Sequence, residues 1–275
     1  MHRDPLHRER ASLPLDTPRI TDILRALDAC ERSSPANERA ERLLRFVYRT
    51  HRGHVIRLSE NDRHMPGHAA LVVVDVQNDF CSPQGSLPAG YRFDLQFVDA
   101  MLPRLHKLIE AARHSRIPVI FVRTLHDPSN DSHAWLARLG DAADNARTGV
   151  TCRTNTWGAE FFGVAPQAGD HIVTKHRFSA FVGTNLALTL RSLDVQSILF
   201  TGVATEVCVE SSLRDGLFHD FYVTLVEDCA ASYTKTAHDA SVHVVGKHFG
   251  LVTTADELVD RWTKTRDTEE AGVAE

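Results

Sequence analysis

The sequence predicts a doubly wound, three-layer α/β/α sandwich with a parallel sheet, preceded by an N-terminal helical hairpin. Three observations carry this reading. From Ala69 onward, short β-branched runs alternate with helical stretches. Those runs are apolar on both faces, the pattern of strands buried between two helical layers. Before Ala69 the chain shows helix signals alone.

The hairpin comes first. Thr17-Pro18 offers a cap and a first-turn proline, and Ile20, Ile23, Leu24 and Leu27 follow at helical spacing. Ser34-Pro35 repeats the start signal, and Ala40, Leu43, Leu44 and Val47 repeat the stripe. A polar linker is expected near Ser59–His68. Strands are expected at Ala69–Val76, Ile117–Arg123, His171–Thr174, Ser197–Thr201, Tyr222–Glu227 and, weakly, Leu251–Thr253. Helices are expected near Gln96–His114, Thr184–Leu193, Glu206–His219, Thr236–His248 and Asp256–Lys264. The segment 124–170 is long and irregular, and such loops often carry function. The boundaries drawn are an N-terminal helical extension over 1–66, the α/β domain over 67–265 and a flexible acidic tail over 266–275.

Composition narrows the function. Of 275 residues, 43% are hydrophobic and 24% charged, with a formal net charge of −5. That excludes a disordered chain and argues against a nucleic-acid-binding face. The first sixteen residues have no apolar stretch, so no signal peptide is expected. The longest clean apolar run, Ala69–Val74, is too short to span a bilayer. Five scattered cysteines without a Cys-x-x-Cys pair suit a reducing compartment, so a cytoplasmic protein is expected.

Ligand sites of parallel α/β sheets lie at the carboxyl ends of the strands. Three of these ends carry chemistry. The first strand runs into Asp75. There an acid is costly unless paired or catalytic, although a turn aspartate is as common a reading. The third strand ends in Lys175, which alone reads as a snorkelling surface lysine. The fourth runs into Thr201-Gly202-Val203-Ala204-Thr205-Glu206-Val207-Cys208. Gly202 permits a tight exit, and Cys208 then falls in the first turn of a helix. There the dipole and free N–H groups favour a thiolate and can hold an oxyanion. A lone cysteine is more often a small core residue. An acid, a lysine and a cysteine on one sheet edge make a base, a cation and a nucleophile, which is far more specific than any of them alone.

Four motifs extend this pattern: VVVDVQNDF (Val72–Phe80), TKHRFSAFVGTNL (Thr174–Leu186), TGVATEVCVESSLRDG (Thr201–Gly216) and VEDCAAS (Val226–Ser232). From about Ala69 to Trp262 the sequence resembles the isochorismatase-like cysteine hydrolases. The resemblance implies a catalytic triad of Asp75, Lys175 and Cys208. It also implies a cis peptide at Val203–Ala204 that aims the Ala204 N–H at the oxyanion, beside that of Cys208. Isochorismatases proper lack the cysteine, so the likeness is to the C–N amidohydrolase branch. Within that branch, HRFSAF and ATEVCVESSLRDG are most similar to ureidoacrylate amidohydrolases, with biuret and N-carbamoylsarcosine hydrolases close behind. The ureidoacrylate type tends to have a tyrosine where this chain has Phe178 and an asparagine where it has Glu206. Gln77, Trp157 and Phe178 are candidate substrate contacts; Trp157, Phe161 and Phe162 read equally well as core.

Metal readings fare less well. His238, His243 and His248 are five apart, so successive rings on a helix point about 140° away from each other. His126-Asp127 and Asp131-x-His133 do not reproduce the Asp-x-His order of nicotinamidases. No serine-hydrolase, zincin or nucleotide-binding signature occurs. The expectation is therefore a cofactor-free, metal-free amidohydrolase acting on a small amide or ureido compound. It is expected to be a homo-oligomer with no nucleic-acid or membrane partner. The rivals are a metal-dependent nicotinamidase-type deamidase and a lapsed family member serving as a scaffold.

Overall fold

Six strands assemble into one fully parallel sheet in the computed structural model, which describes residues 59–273, with side chains through 265. The strands are β1 (Ala69–Val74), β2 (Val119–Thr124), β3 (His171–Lys175), β4 (Ser197–Val203), β5 (Tyr222–Ala231) and β6 (Leu251–Thr253). Their order is β3-β2-β1-β4-β5-β6. The chain winds outward from β1 to β3, then returns past β1 to wind the other way from β4. Neighbours β1 and β4 therefore flank the point where the winding reverses, where such sheets open a crevice.

Strand β1 shows why the sequence folds this way. All six of its residues are buried. Leu71 and Val73 enter one core layer, and Ala70, Val72 and Val74 enter the other. The first layer is closed by α1 (Gln96–His114), whose Val98, Met101, Leu105, Leu108 and Ile109 recur every three or four residues and are buried. Leu258 and Trp262 of α5 (Ala255–Val273) complete it. The second layer is closed by Leu186 and Leu190 of α2 (Leu186–Ser192), Leu213 of α3 (Glu210–Phe218) and Val245 of α4 (Lys235–His248).

The structure moves several expected boundaries. The candidate helix Glu206–His219 is two pieces: a π-helical turn at Thr205–Val209, then α3. Strand β5 runs on to Ala231, with a register shift against β4 between Phe200 and Gly202. The expected linker at Ser59–His68 contains a helical turn, Glu60–Arg63, and buried His64 and His68. His64 Nε2 lies 3.0 Å from Thr224 Oγ1, and Trp262 Nε1 donates to the His64 carbonyl at 2.8 Å. These buried contacts tie the segment to the sheet, so the compact unit begins at Glu60 rather than at residue 67. Helix α5 continues to Val273, through the segment read as a loose acidic tail; glutamate and alanine there are good helix formers. The hairpin over residues 17–47 lies outside the described residues.

Gly202 gives β4 its tight exit. Its φ is +110°, and a Cβ there would sit 2.0 Å from the Val74 carbonyl oxygen. Both the conformation and the approach of β1 thus exclude a side chain. Gly202→Ala is expected to cost about 3 kcal/mol, a melting-temperature drop of roughly 6–12 °C for a domain of this size. Calorimetry on the variant checks this, and an unchanged melting temperature would mean that the strand exit is not so constrained.

Candidate active site

The ends of β1, β2, β3 and β4 meet around one buried cluster. Asp75 follows β1 directly. Its N–H still joins the ladder, donating to the Val122 carbonyl at 2.9 Å, while its φ of +54° turns the chain away. Aspartate tolerates this left-handed conformation better than most residues. Its side chain is fully buried.

Lys175 closes β3 and is 1% exposed, so the snorkelling-surface reading fails. Its Nζ donates to Thr124 Oγ1 at 2.8 Å, to the Arg177 carbonyl at 3.0 Å and to Cys208 Sγ at 3.4 Å. Asp75 Oδ2 lies 2.7 Å from the same nitrogen as an ion pair. With the three N–H groups directed elsewhere, that oxygen accepts no aligned hydrogen bond. It keeps a lone pair for another proton. Thr124 pairs with Lys175 across the two strand ends. Its hydroxyl accepts from Lys175 and donates to Asp75 Oδ1 at 3.0 Å.

Cys208 sits in the π-helical turn at the cleft floor, 7% exposed. The Val203–Ala204 peptide is cis. Ala204 lines the same cleft, and its N–H has no acceptor among the described residues. Burial pushes the Cys208 thiol well above its ordinary pKa; Lys175 pulls it down, and Asp75 pushes it up again. That direction opposes the thiolate that a helix start favours. Burial is the largest cause, and charge adds to it, since a thiolate would be a second buried anion beside one cation. Burial works against the Lys175 ammonium, yet Asp75 and Cys208 outweigh it, and its pKa rises.

The cleft above has a volume of about 590 Å³ counting its open mouth, and Lys175, Cys208, Ala204, Thr124 and Phe178 are among its lining residues. Of the candidate substrate contacts, Phe178 is on its wall. Gln77 is not, because its amide is spent on the backbone. Nε2 donates to the Thr124 and Ala159 carbonyls at 3.0 and 2.8 Å, and Oε1 accepts from the Thr124 N–H at 2.7 Å. It fixes Thr124, and through it the ion pair. Trp157 is half exposed and away from the cleft wall. Phe161 stacks edge-on against Phe121 and, with Phe162, packs on the first core layer. Glu206 Oε1 accepts from Ser232 at 2.9 Å.

Sequence reasoning missed Thr124 and the wall supplied by Trp135, Arg138 and Arg177. The last residue of the second strand was the signal for Thr124. The wall residues carried none beyond the length of the segment 124–170. Asp131 is held by Arg153 at 2.8 Å, and burial lowers the pKa of His126. Among the described residues no three histidine, cysteine or acidic side chains converge as a metal site. Cys81, Cys152 and Cys229 are free and buried, with thiols pushed up chiefly by burial.

Comparison with known proteins agrees with this architecture. Residues 69–257 match the family model described as Isochorismatase domain. The chain is 32% identical over 213 residues to the ureidoacrylate amidohydrolase RutB of Pseudomonas syringae pv. syringae, covering 71% of this chain and 84% of that one. A crystal structure of a cysteine hydrolase from Pseudomonas syringae pv. phaseolicola superposes with a TM-score of 0.63 at 28% identity, covering 72% of this chain and 94% of that one. N-carbamoylsarcosine amidase from Thermoplasma acidophilum gives 0.55 at 26%, covering 69% and 97%. With the family model matching well over half of the chain, this protein belongs to the isochorismatase-like hydrolases.

Proposed function

We propose that the protein hydrolyses an amide or ureido C–N bond of a small molecule through a covalent thioester-type intermediate on Cys208. One observation carries this: Lys175 Nζ sits between Asp75 Oδ2, at 2.7 Å, and Cys208 Sγ, at 3.4 Å, on the floor of a small-molecule cleft. The similar ureidoacrylate amidohydrolase and N-carbamoylsarcosine amidase support the bond type by their names.

The geometry orders the steps. The neutral thiol gives its proton to Asp75 as sulfur attacks the carbonyl carbon, and the Lys175 ammonium offsets the charge on sulfur. The carbonyl oxygen becomes an oxyanion held by the N–H groups of Ala204 and Cys208. The tetrahedral intermediate collapses, the C–N bond breaks, and Asp75 returns the proton to the leaving nitrogen. Asp75 then takes a proton from water, whose oxygen displaces the sulfur, and returns that proton to the departing thiolate, which restores the thiol and the carboxylate. Cytoplasmic residence and assembly into a homo-oligomer complete the proposal. Light scattering on the full chain reads the latter.

The test is an ammonia-release screen over ureido acids, biuret, nicotinamide and simple amides in the presence of EDTA, with mass spectrometry of acid-quenched enzyme. Turnover is expected to survive chelation, with an acyl adduct on the peptide containing Cys208. Activity that EDTA abolishes and zinc, manganese or iron restores, without an adduct, would move the assignment to a metal-dependent deamidase. A protein inert to every compound, with no preferential labelling at Cys208, would be a lapsed enzyme.

A further inference from the structure

The cleft wall carries three cationic side chains, Arg138, Lys175 and Arg177, and no carboxylate. Lys175 is balanced from beneath by Asp75. Neither arginine has an acid within ion-pair distance among the described residues. His126 beside them can supply no negative charge, and burial lowers its pKa. Two positive charges therefore face a half-enclosed space with nothing opposite them.

The two arginines differ in what they have left to give. Arg177 has spent its donors on neutral acceptors: Nη1 on the Asn130 and His176 carbonyls at 3.2 and 2.6 Å, Nη2 on the Asn130 carbonyl at 3.2 Å and Ser132 Oγ at 3.5 Å. It ties down the loop and contributes its field. Arg138 makes one hydrogen bond, from Nη1 to the Trp135 carbonyl at 2.7 Å. Its Nε is buried and has no partner among the described residues. Its guanidinium lies 4.1 Å over the Trp135 ring and 5.7 Å from that of Phe178. Stacking fixes the plane of the fork and leaves its N–H edge available for a planar anion. Leaving a buried charged donor unpaired is costly, and folded proteins seldom keep one without a use.

The geometry points to Arg138 as the residue that selects the substrate, by binding a carboxylate at the end remote from the scissile C–N bond, in the field of Arg177. This rests on the amidohydrolase reading above and narrows it. Ureido or N-carbamoyl acids fit the cleft; neutral compounds such as biuret and nicotinamide leave its charge unanswered. The carboxylate takes the fork, the aromatic wall covers the flat middle of the molecule, and the carbonyl reaches Cys208.

The experiment compares 3-ureidopropionate with its neutral amide, 3-ureidopropionamide, on wild-type protein, Arg138→Gln and Arg138→Lys. Each is followed by steady-state kinetics and by calorimetric binding. The wild type is expected to prefer the acid, chiefly through KM. Arg138→Gln is expected to lose roughly 10–100-fold of that preference, the scale of a charge-assisted pair. Arg138→Lys keeps the charge without the fork and should fall between. Equal use of acid and amide by the wild type, or a preference that Arg138→Gln leaves intact, overturns the inference while the amidohydrolase reading stands. If neither compound is hydrolysed, that reading fails for ureido substrates and binding decides alone. Binding of the acid that Arg138→Gln weakens supports the inference, and its absence overturns it. The Cys208 labelling rate and the melting temperature confirm that each variant is folded.

Discussion

Cys208→Ser is expected to lower turnover by about 10³-fold or more while the protein keeps its fold. Serine is close in shape, and Cys208 belongs to a core layer that a hydroxyl perturbs little. The chemistry changes far more. Burial pushes the thiol pKa up, and in the proposed route a proton leaves for Asp75 as the bond forms. A serine hydroxyl is much harder to ionise than a thiol, and its shorter bond to Cβ withdraws the oxygen from Lys175 Nζ, now 3.4 Å from the sulfur. The measurement is kcat on a compound that the wild type hydrolyses, with a melting curve alongside. A serine variant near wild-type kcat would remove the covalent route.

The fold was readable because β1, β2 and β4 are apolar runs that must be covered on both faces, and because α1 repeats its buried residues at helical spacing. The Gln96–His114 boundaries came directly from that spacing. What the sequence concealed was set by long-range contacts. His64 reads as part of a polar linker, but it is buried because Thr224 and Trp262, far along the chain, receive it. The π-helical turn at Cys208 looks like an ordinary helix start, since a few residues of pattern cannot separate a four-residue from a five-residue hydrogen-bond spacing. Gln77 stands in the same motif as Asp75 and reads as a substrate contact. Its true partners are backbone groups of Thr124 and Ala159, which no local pattern discloses. Arg138 and Arg177 come from a segment without periodicity, so their place on the cleft wall emerges only in three dimensions. Asp75, Lys175 and Cys208 were legible for the opposite reason: a parallel sheet brings its strand ends together whatever the loops do.

Asp75→Asn is expected to be as damaging as the loss of the nucleophile. General acid–base catalysis is worth about 10²–10⁴-fold in one step, and in the proposed mechanism one carboxylate serves both halves of the reaction. The amide keeps the shape but cannot take the thiol proton, return it to nitrogen or draw one from water. The substitution also removes the buried counter-ion of Lys175, 2.7 Å away. Breaking such a pair typically costs about 3–5 kcal/mol, so a fall in activity alone would not separate chemistry from folding. Cys208 separates them. In the wild type, Asp75 is among the groups that raise the thiol pKa, and Lys175 lowers it. Without the carboxylate, the ammonium and the sulfur become each other's partners, and the thiolate is favoured. Iodoacetamide should therefore label Cys208 in folded Asp75→Asn at least as fast as in the wild type, although hydrolysis is lost. A variant that labels readily but does not turn over places the need for Asp75 in the later proton transfers, to the leaving nitrogen and from water. Loss of labelling in a folded variant would show instead that Asp75 is needed to hold Lys175 against the sulfur. A loss of turnover below tenfold would show that another group is the base.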